Sequence, residues 1–82
     1  MKVQAEVSLY ALRTEHLSEP IEQFINSLQH HGIKVEIGPL NTRLTGDSGA
    51  LFAGLCQAFE EAAKDYEVIL DIKISNACPG RV

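Results

Sequence analysis

Apolar and polar residues alternate from Val3 to Tyr10. Val3, Ala5, Val7 and Leu9 are separated by Gln4, Glu6 and Ser8, with the amphipathic Tyr10 closing the run. A period of two sends the two sets to opposite sides of a strand, so the segment predicts a strand with one buried face. Past Arg13-Thr14-Glu15-His16, Ser18 is placed to cap a helix that carries Glu19 and Pro20 in its first turn. Ile21, Phe24, Ile25 and Leu28 then recur at helical spacing, and Gly32 marks the stop after His30 and His31. Alternation returns at Ile33, Val35 and Ile37; Gly38-Pro39 interrupts it, and Asn41 to Thr45 forms the second arm of a hairpin. Gly46-Asp47-Ser48-Gly49 opens a second helix whose expected inner face holds Leu51, Phe52, Leu55, Cys56, Phe59, Ala62 and Ala63. A last strand alternates Val68, Leu70, Ile72 and Ile74 with Ile69, Asp71, Lys73 and Ser75, and ends at the Pro79-Gly80 of SNACPGRV.

The element order is β-α-β-β-α-β. Two right-handed β-α-β crossovers with interleaved strands predict an α+β, ferredoxin-like domain: a four-stranded antiparallel sheet in the order 4-1-3-2, both helices on one face. The other face is left uncovered. By parity it carries Gln4, Glu6, Ser8, Tyr10, Lys34, Glu36, Arg43, Thr45, Ile69, Asp71, Lys73 and Ser75.

At 82 residues the chain fits one domain, residues 1–82, because two halves would each be too small to bury a core. A 45% hydrophobic content and a net charge of −4 exclude a disordered chain, and the charge offers no excess of Lys and Arg for a nucleic-acid partner. No apolar run is long enough to span a membrane and no signal peptide is evident, so a soluble, cytoplasmic protein is expected. A domain this small gains stability by pairing with further copies. Tyr10 and Ile69 on the bare face, with edge strands at 33–38 and 67–75, predict a homo-oligomer built partly through the sheet.

The chemistry-bearing residues have structural readings that weigh more than catalytic ones. Cys78 lies just past the last strand with no cation or base in sight to activate it, so it reads as a packing and turn residue; Cys56, on the helix stripe, reads as core. His16, His30 and His31 lack a third ligand at metal spacing. Arg43 reads as a cross-strand partner of Glu6 or Glu36 rather than an anion site, and Asp47 as a helix cap. No catalytic constellation, metal site or cofactor is expected. Ser8, Tyr10, Asn41, Thr42, Ser75 and Asn76 remain, polar or amphipathic groups near strand ends that the fold does not require.

Three stretches carry a family resemblance: Val7-Ser8-Leu9-Tyr10-Ala11-Leu12, Thr42-Arg43-Leu44-Thr45-Gly46 and Ile74-Ser75-Asn76-Ala77-Cys78-Pro79-Gly80. Together they resemble the thiamine-binding, YkoF-like domains, in which the pattern reads roughly S-L-Y-P, S-T-x-[LIV]-x-G and S-[NG]-x-C-P. Ala11 departs from the proline and Asn41 from the serine often found there. The resemblance implies a dimer or tetramer that binds thiamine or its hydroxymethylpyrimidine moiety without reacting it, a carrier or buffer in vitamin B1 salvage. On that reading Tyr10 supplies a flat wall, Asn41 and Asn76 paired amide groups, and Ser8, Thr42 and Ser75 hydroxyls, with Glu6 or Asp71 facing the thiazolium cation.

Strand geometry divides these groups. The end of the first strand is expected beside the start of the third, bringing Ser8 and Tyr10 toward Asn41 and Thr42. Ser75, Asn76 and Cys78 fall beside the start of the first strand, about 13–20 Å away. Either the Tyr10 and Thr42 cluster is the site alone, or the site is shared between subunits; the first is preferred for ligand contact, with the SNACP run assigned partly to shaping the chain end. The competing reading is an ACT-like regulatory or assembly module that senses another metabolite; a hydrolase or thiol enzyme ranks below both.

Overall fold

The computed structural model describes residues 1–15 and 18–77. Strand β1 spans Lys2–Leu12, helix α1 Ser18–Gln29, β2 Lys34–Ile37, β3 Thr42–Asp47, α2 Ser48–Asp65 and β4 Glu67–Ser75. All pairings are antiparallel and the sheet runs β2-β3-β1-β4, the 4-1-3-2 order that the crossover rules predict.

Alternation in β1 translates directly into burial. Val3, Ala5, Val7 and Leu9 are buried under the helices, while Gln4, Glu6, Ser8 and Tyr10 face the open side. Leu44 of β3 lies opposite Ala5 and, on its other side, opposite Val35 of β2. With Phe24 and Leu28 of α1 and Leu51, Leu55, Ala58 and Ala62 of α2 these side chains make one continuous core.

Local chemistry sets the element ends. Gly32 stops the α1 segment with φ +70°, a left-handed conformation that glycine adopts without penalty, and the N–H groups of His30 and His31 donate to the carbonyls of Ser27 and Leu28. Arg13 also takes a positive φ, 54°, at the exit of β1, where its guanidinium pairs with the Glu67 carboxylate at the start of β4. Asp47 caps α2 as expected, its Oδ2 accepting from the Gly49 N–H at 3.1 Å.

A hydrogen bond from the Met1 ammonium and a second from the Gly49 N–H hold the Asp47 carboxyl below its ordinary value of 3.8. A lowered acid contributes stability above its unfolded value and loses it as pH falls through the lower, folded one. The stability gap between wild type and Asp47→Asn is therefore expected to be constant near neutrality and to close below pH 3.8; urea melts across that range check it. A gap that does not narrow in acid would mean that the carboxylate charge plays no part in the cap.

Helix α2 departs from the sequence reading. Leu51, Gly54, Leu55, Ala58 and Ala62 are buried, but Phe52 is 54% exposed, Phe59 37%, and Cys56 and Ala63 also face outward. Cys56 is thus a surface thiol and not a core residue. The cause is the helix's rotation. Gly54 sits so close to the α1–β2 connection that a Cβ there would lie 2.8 Å from Ile33 Cδ1 and 3.2 Å from the His31 ring. At about 100° per residue, seating that side against α1 turns Phe52, Cys56 and Phe59 to the opposite side, toward the β4 edge. In α1 the buried line is likewise shifted, with Pro20 and Ser27 inside and Ile21 at the rim. Cys78, read as a turn residue, and His16 lie outside the described residues.

Candidate functional site

The open face is organised in rows by the strand register. One row runs Glu36, Arg43, Glu6, Lys73 from β2 through β3 and β1 to β4, with the sign alternating at every step. The register sets Arg43 between two carboxylates, the neighbours expected of it, while Glu36 itself pairs with Lys34 of its own strand at 3.4 Å. Asn41 Nδ2 donates to Glu6 Oε2 at 3.2 Å, which directs the amide of the hairpin turn onto the same face. The next pair along is Ser8 with Asp71, and beyond it Tyr10 with Ile69.

Tyr10 and Ile69 are 54% and 52% exposed, an apolar pair directly opposite one another on an otherwise polar face. A flat ring flanked by a branched aliphatic side chain offers a stacking surface, with the Asp71 carboxylate and the Ser8 hydroxyl one pair further on.

At the other end of β1, Gln4, Glu6, Arg43, Lys73 and Ser75 surround a depression of about 250 Å³. Ser75 lies opposite Gln4, six residues from Tyr10 along β1, which is about 20 Å at strand spacing. Its hydroxyl accepts from the Ala77 N–H at 2.9 Å, so it closes the turn after β4 and keeps its own proton to donate. Asn76 follows it, exposed. The two clusters foreseen near strand ends are thus separated within one chain.

One expected neighbour falls elsewhere. Thr42 pairs with Val7 and with Ile37, so it lies on the helix side of the sheet and not beside Tyr10. Asn41, one residue earlier, continues the register to the level of Ser8 on the open side. Sequence reasoning also passed over Gln4, Arg43 and Lys73 as members of a site. Their only signal was parity, which placed them on the bare face without saying that they converge.

A larger cleft of about 470 Å³ lies between the helices, lined by Gln23, Asn26, Ser27, His30, His31, Gln57 and Glu61. Among the described residues its only rings are the imidazoles of His30 and His31, with no Tyr, Phe or branched aliphatic side chain in the lining beside them, whereas the open sheet face presents Tyr10 opposite Ile69 and is the better candidate. Among the described residues no group of three or more His, Cys, Asp or Glu side chains is arranged to hold a metal ion, and no helix is long and apolar enough to cross a membrane.

A four-stranded antiparallel sheet with two helices on one face and the other face bare defines a small α+β domain of the ferredoxin-like class. The thiamine-binding protein family model matches residues 5–78, and the chain belongs to that family. Among solved structures, a hypothetical protein from Methanocaldococcus jannascii is 26% identical, with a TM-score of 0.85 over 95% of this chain and 82% of its own. A Streptococcus pneumoniae protein is 24% identical with a TM-score of 0.87, covering 100% of this chain and 93% of its own. A Thermotoga maritima protein described as a candidate in thiamine biosynthesis or salvage is 21% identical with a TM-score of 0.82, covering 92% of this chain and 83% of its own. The last two likenesses concern the fold. No curated protein matches the chain.

Proposed function

We propose that this protein binds thiamine, or its hydroxymethylpyrimidine moiety, on the open face of the sheet and releases it chemically unchanged. Family membership supplies the ligand class. The observation that carries the location is the Tyr10 and Ile69 pair, half exposed in the midst of polar side chains. Burying an aminopyrimidine against it removes apolar surface from water on both partners, a gain of roughly 25 cal/mol per Å². Ser8 and the amide of Asn41 supply donors and acceptors for the ring's edge, and Asp71 and Glu6 are carboxylates suited to a thiazolium cation. Ser75 and Asn76 serve a second contact region at the far end of the face. Thr42, on the helix side, supports the strand rather than the ligand.

The protein acts as a homo-oligomeric carrier or buffer rather than an enzyme. Cys56, the one cysteine among the described residues, is on α2 and not among the residues lining the depression, and the hydroxyl that does line it, Ser75, accepts from the Ala77 N–H in the turn. Isothermal titration with thiamine and with the free pyrimidine is expected to give saturable heat for both, and mass spectrometry to return each ligand intact. An absence of heat with either ligand at millimolar concentration would remove the reading; a converted product would make the protein an enzyme. Light scattering at micromolar concentration is expected to give a multiple of the 9.0 kDa chain mass, and a mass of one chain that persists on concentrating would end the oligomer claim.

A further inference from the structure

The 470 Å³ cleft between the helices is walled at helical spacing. On one side Gln23, Asn26 and Ser27 of α1 lead to His30 and His31, just beyond that helix's end; on the other Gln57 and Glu61 stand one turn apart on α2. Every one of these side chains carries hydrogen-bonding atoms, while the neighbouring positions Phe24, Leu28, Leu55 and Ala58 go to the core.

Two local features shape this cleft. Ser27 repeats the inner spacing of Pro20, Phe24 and Leu28 and is 8% exposed, the one polar side chain buried among the described residues. Gly54 stands in the middle of α2, where glycine weakens a helix, and its missing side chain is the space the His31 ring occupies: a Cβ there would come 3.2 Å from the ring's Cγ. That close approach seats His31, half-buried, against α2 at the border of the cleft.

The charges around the cleft favour a cation. Glu61 is half-buried, and no Lys or Arg is among the described residues that line the space with it. Helix α1 ends here without a basic residue in its last turn, so the negative end of its dipole adds to the carboxylate. Glu61 Oε1 accepts from Gln57 Nε2 at 3.3 Å, which steadies the carboxylate, and Oε2 takes no part in that bond. The carboxamides of Gln23 and Asn26 each offer donors and an acceptor, and so does an uncharged imidazole; hydroxyl groups match that combination.

We infer that this cleft is a second small-molecule site, for a hydrophilic amine of the amino-sugar class. Its ammonium sits against Glu61 and its hydroxyls against Gln23, Asn26 and the two imidazoles. Imidazoles as the only rings count against a stacked pyrimidine, but not against a ligand with little apolar surface. An anion is opposed by Glu61 and by the helix end. A metal ion is opposed by the ligand count, since among the described residues no three His, Cys, Asp or Glu side chains are arranged to hold one. The cleft shares no residue with the depression on the open face, so the inference stands apart from thiamine binding.

Glucosamine is the probe, titrated into isotopically labelled protein and followed by amide nitrogen–proton correlation spectra. Saturable shifts are expected at the side-chain amides of Gln23, Asn26 and Gln57 and at the backbone of residues 26–31, with the amides of Tyr10 and Ile69 unmoved. Glucose and N-acetylglucosamine keep the ring and lose the ammonium, and each is expected to bind roughly tenfold more weakly. Glu61→Gln keeps the side chain's shape and should weaken glucosamine by a similar factor while leaving N-acetylglucosamine unchanged. Asn26→Ala, at an exposed position, should weaken both sugars alike. Absence of saturable shifts, or shifts that map away from the cleft, overturns the site. Equal affinity for glucosamine and glucose, or for glucosamine in wild type and Glu61→Gln, overturns its assignment to a cation.

Discussion

Replacing Leu44 by alanine is expected to cost about 3 kcal/mol of folding stability, within the usual 2–5 kcal/mol for a buried leucine. Leu44 has no exposed surface and occupies the middle strand of the β2-β3-β1 layer, facing Ala5 on one side and Val35 on the other. Ala5 is too small to move into the space, and Leu28 and Leu51, also without exposed surface, are held by their helices. The cavity therefore stays largely open, and its cost adds to the lost transfer energy. For a domain of this size the melting temperature should fall by roughly 12–24 °C, at about 4–8 °C per kcal/mol. Ile37→Ala is the control: it lies on the same side of the sheet but is 70% exposed, and should cost about 0.5 kcal/mol or less. Scanning calorimetry at one fixed protein concentration compares them, since an oligomer's melting temperature depends on concentration. Equal losses would mean that the core does not centre on β3.

Tyr10→Ala is expected to weaken thiamine and the free pyrimidine alike by roughly ten- to a hundredfold, about 1–3 kcal/mol if base-stacking values transfer to an aminopyrimidine. Tyr10 is more than half exposed, so its removal leaves no cavity and the fold should tolerate it. Tyr10→Phe keeps the stacking surface and should lose much less. A loss confined to thiamine would put the ring against the thiazolium as a cation–π partner. Unchanged affinity for both, in a folded Tyr10→Ala protein, would move the site to the Ser75 and Asn76 end of the face.

Much of this arrangement was readable from the chain. Strict alternation in β1 decides which residues share a face whatever surrounds them, because successive side chains of a strand point to opposite sides. That parity placed Glu6, Ser8, Tyr10, Arg43, Asp71 and Ser75 on the bare face correctly, and the β-α-β-β-α-β order left one strand arrangement once crossovers are right-handed. The caps at Asp47 and Gly32 rest on backbone chemistry confined to a few neighbouring residues, and they too were legible.

What needed the tertiary structure was every choice the local pattern leaves open. Thr42 lies on the helix side by the same parity that sets Arg43 and Thr45 on the open face; what the structure decided is its register, which the hairpin closed by the Gly38 N–H donating to the Asn41 carbonyl at 2.8 Å sets opposite Val7 and not beside Tyr10. Helix α2 carries two adjacent apolar lines, 51-55-58-62 and 52-56-59-63, and helical periodicity cannot rank them. Close approach at Gly54 turned the first line onto the sheet and left Phe52, Cys56 and Phe59 outside. Burial of a helix face is set by the neighbours that cover it, and those neighbours are distant in sequence.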